Sequence, residues 1–194
     1  HHRLYGFRDR PGVKPLYYSQ YAGGFIFGSE LKALHAHPDF SPDLNLPSVS
    51  TFFELGYIPG EHSVYEKTAK LGAGQYFIYD LETRGLTIKR YWDARDSYRA
   101  TKTTLSYDDA KSALSTLLKS ACEYRMIADV PVGVFLSGGY DSTAVAALLQ
   151  SGNQRQIKTF TIGFEQGNNE APYARATAEY LGTDHYEYTC TAEE

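Results

Sequence analysis

Residues 130–136, Val-Pro-Val-Gly-Val-Phe-Leu, are apolar throughout, and a small polar turn follows at once: Ser137-Gly138-Gly139-Tyr140-Asp141-Ser142-Thr143. An apolar run of this length suits a strand buried on both faces in the middle of a parallel sheet. Residues 143–150 then read as a helix. Strand, glycine turn and helix in direct succession leave few architectures open, and the pattern downstream narrows them further. A second strand spans 157–164, a helix 172–181 closes at Gly182, and a third strand covers 186–190. Upstream, Ser106 with Asp109 gives a capping-box-like start. Ala110, Ala113, Leu114, Leu117, Leu118 and Ala121 then recur at helical spacing as far as Met126. Alternating helices and strands predict an α/β fold with a doubly wound parallel sheet for 106–194.

The first ninety residues have a different grammar. Short aromatic runs alternate with turns: 4–8, then Arg10-Pro11-Gly12; Leu16-Tyr17-Tyr18, then Ala22-Gly23-Gly24; then Phe25-Ile26-Phe27. These predict antiparallel hairpins. A short helix is expected over 30–35. Another is expected over 46–55, capped by Asn45, with Pro47 in its first turn, Gly56 past its end, and Val49, Phe52 and Phe53 on its apolar side. Strands over 76–79 and 86–91 flank a polar loop at 80–85. Residues 1–92 are therefore expected to form an α+β antiparallel domain. Residues 93–105, polar and without periodicity, read as a linker.

Bulk properties exclude several classes. The net charge of −4 draws the chain to neither nucleic acid nor anionic membrane, and no apolar run is long enough to span a bilayer. Two cysteines imply a reducing, cytoplasmic setting rather than a disulfide framework. The chain opens His1-His2-Arg3, and its one methionine is Met126, so a fragment or processed piece is expected.

The glycine turn carries the sharpest chemistry. A helix N-terminus beyond a parallel strand offers unpaired N–H groups to an anion. Adjacent glycines let the backbone approach phosphate oxygens closely, and Ser137, Ser142 and Thr143 add hydroxyl donors. Asp141 would repel a bare phosphate, and a bridging Mg²⁺ removes that conflict. Without a Gly-Lys-Ser/Thr sequence the turn is not a Walker A loop, and it is not G-x-G-x-x-G either. Holding pyrophosphate through N–H groups, hydroxyls and Mg²⁺ suits cleavage between the α and β phosphates. An ordinary strand-to-helix turn would use the same residues for geometry and capping. The strands on either side favour the anion site.

The stretch Asp129-Val130-Pro131-Val132-Gly133-Val134-Phe135-Leu136-Ser137-Gly138-Gly139-Tyr140-Asp141-Ser142 resembles the PP-loop of glutamine-dependent asparagine synthetases. Thr159-Phe160-Thr161-Ile162-Gly163-Phe164, Tyr173-Ala174-Arg175-Ala176 and Leu181-Gly182-Thr183-Asp184-His185 resemble the segments that follow it. Arg8-Asp9-Arg10-Pro11-Gly12-Val13-Lys14-Pro15-Leu16-Tyr17-Tyr18 and Ser29-Glu30-Leu31-Lys32-Ala33-Leu34 are similar to the amidotransferase half of the same family. Pro11, Tyr140 and Thr143 depart from its usual residues, and Thr143 keeps the hydroxyl.

The resemblance implies the tail of an Ntn-type amidotransferase domain over 1–92 and the first part of a PP-loop ATP pyrophosphatase domain over 106–194. It implies ATP-dependent adenylation of aspartate, then amidation by ammonia from glutamine, with ATP, aspartate and glutamine as partners and a homodimer as the assembly kept in view. Ser137, Gly138, Gly139, Ser142 and Thr143 would cradle the pyrophosphate, Asp141 would hold Mg²⁺, and Leu136 and Ile162 match positions whose backbone meets the adenine end of ATP. The glutaminase nucleophile is an N-terminal cysteine in this family. Cys122 and Cys190 read as packing residues, so no catalytic residue is assigned, and the fragment alone is expected to be inactive. Relatives that close a β-lactam ring or cyclise a peptide, and a non-catalytic nucleotide-binding protein, are the alternatives.

Other candidates have plainer accounts. Arg8-Asp9-Arg10 is expected to be an intradomain salt-bridge set or a domain-interface contact, Glu30 a helix-start carboxylate, His35 and His37 a solvated pair without a third zinc ligand, and His185 a packed strand residue.

Overall fold

The computed structural model describes residues 2–153, 155–165 and 169–191. They fall into two compact units, His1–Lys102 and Thr103–Glu194, each mixed in α and β.

The first unit holds two three-stranded antiparallel sheets. In one, β5 (Gln75–Asp80) lies between β1 (Arg3–Phe7) and β6 (Leu86–Arg90); in the other, β2 (Tyr17–Tyr21) lies between β3 (Gly24–Gly28) and β4 (Thr68–Lys70). Strand β5 alternates between buried and half-buried residues, as period-2 geometry requires. Its Phe77 is fully buried and carries the core. Gly6 pairs with Phe77 across the ladder, and a Cβ on Gly6 would sit 2.3 Å from that ring. The absence of a side chain at Gly6 thus makes room for the ring. Tyr18, Phe25 and Phe27 of the other sheet approach Phe77 with centroids 4.9–6.2 Å away, which joins the two sheets through aromatic contacts.

Helices α1 (Leu31–His35) and α2 (Leu46–Leu55) follow β3. Asn45 caps α2 by accepting from the Ser48 N–H at 2.9 Å, and Gly56 ends it at φ 76°. The expected apolar side of α2 differs. Phe53 is 82% exposed and Phe52 nearly half, Val49 is half-buried, and Ser48 is the buried residue; the two phenylalanine rings meet edge to face.

The expected linker contains a helix, α3 (Ala94–Arg99). The Asp93 carboxylate accepts from the Arg95 N–H and pairs with the Arg90 and Arg95 guanidiniums. Arg95 and then Arg90 hold that carboxyl far below the usual range. Local charge thus stabilises a helix that lacks apolar periodicity.

In the second unit β7 (Gly133–Phe135), β8 (Lys158–Phe164) and β9 (Asp184–Cys190) form a parallel sheet in that order. Between them run α5 (Tyr140–Ser151) and α6 (Ala171–Leu181), preceded by α4 (Tyr107–Arg125). Ser106 caps α4 as expected: its hydroxyl accepts from the Asp109 N–H and donates to the Asp109 carboxylate. Leu136, Ala146, Leu149, Ile157, Ala174 and Ala178 make the core between helices and sheet, with Cys122 and Met126 of the α4 end packed on it. Leu114 and Leu117 of α4 stay exposed, so the helix uses only its last turns for burial.

Residues 130–136 are not buried on both faces. The strand has three residues, lies at the edge of the sheet among the described strands, and leaves Val130 and Phe135 at 69% and 75% exposure. Pro131 has no N–H for a ladder, and Phe135 points to the face opposite the helices. There it joins Phe160, Ile162, Tyr186 and Tyr188.

Candidate functional site

The turn after β7 is held by bonds to β8 at its start and by bonds within itself. The Leu136 N–H donates to the Phe160 carbonyl at 2.8 Å, and the Thr161 hydroxyl donates to the Leu136 carbonyl. Leu136 is therefore fixed at both backbone groups, with its side chain in the core. Ser137 and Ser142 share a hydroxyl–hydroxyl hydrogen bond of 3.0 Å, and the Ser137 N–H donates to the Ser142 hydroxyl at 3.2 Å. The Gly139 N–H donates to Ser137 Oγ, and Ser142 Oγ donates to the Gly139 carbonyl, each at 3.3 Å. The two serines thus close the turn around the glycine pair.

Gly138 has φ +74°, and a Cβ there would lie 2.6 Å from the Tyr173 Cβ and 2.8 Å from the Ala174 N. Glycine is required twice over, by the dihedral and by the close passage of α6. Gly139 is the N-cap of α5 and supplies no side-chain cap. Hence the first N–H groups of α5, at Tyr140, Asp141 and Ser142, have no partner among the described residues and face outward with the positive end of the helix dipole. Thr143 N–H is already turned inward, donating to the Gly139 carbonyl. Tyr140 is 97% exposed and leaves the turn open. Asp141 sits in the first turn of α5, exposed.

The structure therefore brings Ser137, Gly138, Gly139, Asp141, Ser142 and Thr143 together at the carboxyl end of β7. Ile162 lies level with the start of the turn in the parallel register of β7 and β8, but its side chain is half exposed on the opposite face. Its backbone pairs with Tyr188 of β9. Two contributors escape a sequence reading: Thr161, whose hydroxyl grips Leu136, and the Tyr173–Ala174 backbone that packs on Gly138. An isolated threonine in a strand gives no signal of such a bond.

Asp141 stands alone as an acidic ligand, and no group of three metal-ligating side chains occurs among the described residues. This suits a Mg²⁺ ion held chiefly by phosphates and water, with one protein carboxylate.

The weaker candidates find other partners. The Arg8-Asp9-Arg10 turn forms no ion pair within itself. Arg8 donates to the carbonyls of Gly12, Lys14 and Leu71, and Asp9 accepts from the N–H groups of Val13 and Lys14. Those N–H groups, first Lys14 and then Val13, lower the Asp9 pKa. Backbone groups outcompete the expected salt bridges because the tight turn points them inward. Glu30 pairs with Lys32 at 2.6 Å. His35 and His37 meet the hydroxyls of Tyr65 and Tyr21. His185 packs with Nδ1 on the Thr159 hydroxyl.

Residues 1–92 match the glutamine amidotransferase domain model, and residues 113–194 match the asparagine synthase model. The chain is 38% identical over 93% of its length to "Putative asparagine synthetase (glutamine-hydrolyzing) 2" of Methanocaldococcus jannaschii. It is 32% identical over 94% of its length to asparagine synthetase (glutamine-hydrolyzing) 3 of Bacillus subtilis. Along both segments the chain is thus similar to glutamine-hydrolysing asparagine synthetases, a glutamine amidotransferase segment followed by an asparagine synthase segment. It spans 35% and 31% of those two relatives, about a third of their length. The glycine turn falls in the segment that matches the asparagine synthase model, and the antiparallel sheets fall in the segment that matches the amidotransferase model.

Proposed function

We propose that this chain is part of an ATP-dependent, glutamine-using asparagine synthetase, a carbon–nitrogen ligase. The observation that carries the reading is the open N-terminus of α5 behind Gly138, framed by the Ser137 and Ser142 hydroxyls. In the proposed reaction a carboxylate oxygen of the aspartate side chain attacks the α-phosphorus of ATP. The bond to the bridging oxygen breaks, and pyrophosphate leaves. Ammonia derived from glutamine then attacks the acyl carbon, AMP departs with the former carboxylate oxygen, and asparagine remains.

The residues of the turn act on the leaving group. The unpartnered N–H groups of Tyr140, Asp141 and Ser142 receive the negative charge that develops on pyrophosphate, a preorganised electrostatic stabilisation, and the Ser137, Ser142 and Thr143 hydroxyls would donate to the same oxygens once the two serines turn from each other and from Gly139. Asp141 would hold Mg²⁺, which supplies charge neutralisation at the β and γ phosphates. By the family resemblance Leu136 and Ile162 would lie at the adenine end of the nucleotide, Leu136 with its N–H already bonded to Phe160.

The corresponding domain reading takes 1–92 as the C-terminal part of an Ntn-type amidotransferase domain and 93–105 as the connection to it. Residues 106–194 are then the N-terminal part of a doubly wound PP-loop ATP pyrophosphatase domain. The cytoplasm is the proposed compartment. A homodimer is the proposed assembly, to be read by light scattering of the complete polypeptide.

The test is product identity. The complete polypeptide that contains this chain, given ATP, Mg²⁺, aspartate and ammonia, should yield asparagine and AMP in equal amounts. Production of ADP, or AMP formation with another carboxylate and not with aspartate, would overturn it; the second result would favour a β-lactam- or peptide-cyclising relative.

A further inference from the structure

A cleft in the first unit, sharing no residue with the glycine turn, has a volume of about 660 Å³, within the range of small-ligand sites. Its walls carry Arg8, Arg10, Lys70, Arg90 and Arg95 against two carboxylates, Glu61 and Asp93. Asp93 is already engaged by Arg90 and Arg95. Glu61 Oε1 accepts from the Gln75 side-chain amide at 2.6 Å. Three cations are left without a carboxylate in ion-pair distance among the described residues: Arg8, Arg10 and Lys70.

Two of these three are not ordinary solvated surface charges. Arg8 is half-buried and spends its N–H groups on backbone carbonyls, which leaves its charge in place. Lys70 is half-buried beside it and donates to the Ile58 carbonyl at 3.1 Å. Burial and the charge of Arg8 both lower the Lys70 pKa. Two like charges are therefore held together in a partly dehydrated wall, where an anion would relieve both. Arg10, exposed on the Pro11 turn, makes no hydrogen bond or ion pair among the described residues and is free to close on a ligand.

Apart from Gln75, the rest of the wall is apolar or glycine and includes two aromatic rings, Tyr57 and Trp92. Trp92 is half-buried, and its backbone N–H donates to the Gly74 carbonyl at 3.2 Å. Gly74 has φ +64°, and a Cβ there would meet the Trp92 carbonyl oxygen at 2.3 Å, so this strand-end geometry depends on glycine. Pro11, Tyr57 and Pro59 lie around the same space. An indole lining the same cleft as three uncompensated cations is a receptor for a ring that bears a dianion.

We propose that this cleft binds a small aromatic phosphomonoester, with its phosphate toward Arg10 and Lys70 and its ring against Trp92. The site is independent of ATP use at the glycine turn.

Trp92 is the one tryptophan of the chain, so its fluorescence reports the cleft directly. Phenyl phosphate is titrated against this chain, with phenol and inorganic phosphate as separate arms. The expected result is a saturable change with phenyl phosphate, weaker binding of inorganic phosphate and none of phenol. Arg10→Gln should weaken phenyl phosphate about tenfold, the worth of one charge-assisted contact, and Arg10→Lys should restore most of it. Arg10 has no internal partner among the described residues, so these variants remove no contact, and unchanged far-UV circular dichroism is expected; Ser137→Ala, in the other unit, should leave the titration unchanged. A missing saturable response, equal affinity in Arg10→Gln, or phenol or inorganic phosphate binding as tightly as phenyl phosphate would each overturn the proposal. None of these outcomes bears on ATP chemistry, which the product test reads separately.

Discussion

Ser137 and Ser142 stand five residues apart in sequence and share a 3.0 Å hydrogen bond between their hydroxyls. The Ser142 hydroxyl also accepts the Ser137 N–H, so one side chain organises both sides of the glycine pair. Ser142→Ala removes these bonds together and leaves the half-buried Ser137 N–H without its partner. We expect a stability loss of about 1–2 kcal/mol in chemical denaturation, and a loss of ATP affinity of about tenfold or more if the turn cradles pyrophosphate. Unchanged nucleotide affinity in a folded Ser142→Ala protein would separate the turn from ATP.

Gly138 tests the geometry rather than the chemistry. Gly138→Ala must adopt a left-handed dihedral and push a methyl group into Tyr173 and Ala174. A cost of about 2 kcal/mol or more is expected, read as a lowered midpoint for the second unit. Gly139→Ala meets only the Ser137 hydroxyl, at 3.3 Å, and should cost clearly less.

Phe77 tests the aromatic core of the first unit. It is fully buried, in ring contact with Tyr18, Phe25 and Phe27. Phe77→Ala should destabilise by about 3–5 kcal/mol. A loss below about 1 kcal/mol would contradict the packing described.

Glu187 sets a pH dependence. Arg175 binds it with two guanidinium bonds of 2.8 and 2.6 Å, and that contact lowers its pKa below the ordinary 4.5. A depressed carboxyl pKa contributes stability above the unfolded value, and that contribution disappears as pH falls through the folded one. Stability should therefore decline with acid below about pH 4.5, and Glu187→Gln should flatten that decline without steepening it elsewhere. An identical acid profile in the variant would remove Glu187 from the account.

Much of this fold is written locally. Asn45, Gly56 and Ser106 mark helix ends because a cap is a contact within three or four residues. The strand, turn and helix around Gly138 are legible for the same reason. Long-range choices are not. Strand β4 is three residues defined only by pairing with β2, and residues 130–136 look doubly buried although sheet order leaves them at an edge. Helix α3 is hidden because charge pairing at Asp93, not periodicity, stabilises it. At the candidate site the turn residues are legible as a group, whereas Thr161 and the Tyr173–Ala174 backbone are joined to it only by the folded sheet and α6. The opposite outcome at Arg8-Asp9-Arg10, backbone bonds in place of ion pairs, is likewise set by the turn's shape.

The central claim is that the glycine turn serves adenylation of aspartate. The most direct measurement is isotope exchange between pyrophosphate and ATP in the complete polypeptide, with and without aspartate, beside its Asp141→Asn variant. The account predicts exchange that requires aspartate and Mg²⁺ and falls by about a hundredfold or more in Asp141→Asn. ATP binding with no aspartate-dependent exchange, or exchange that survives in Asp141→Asn, would contradict it.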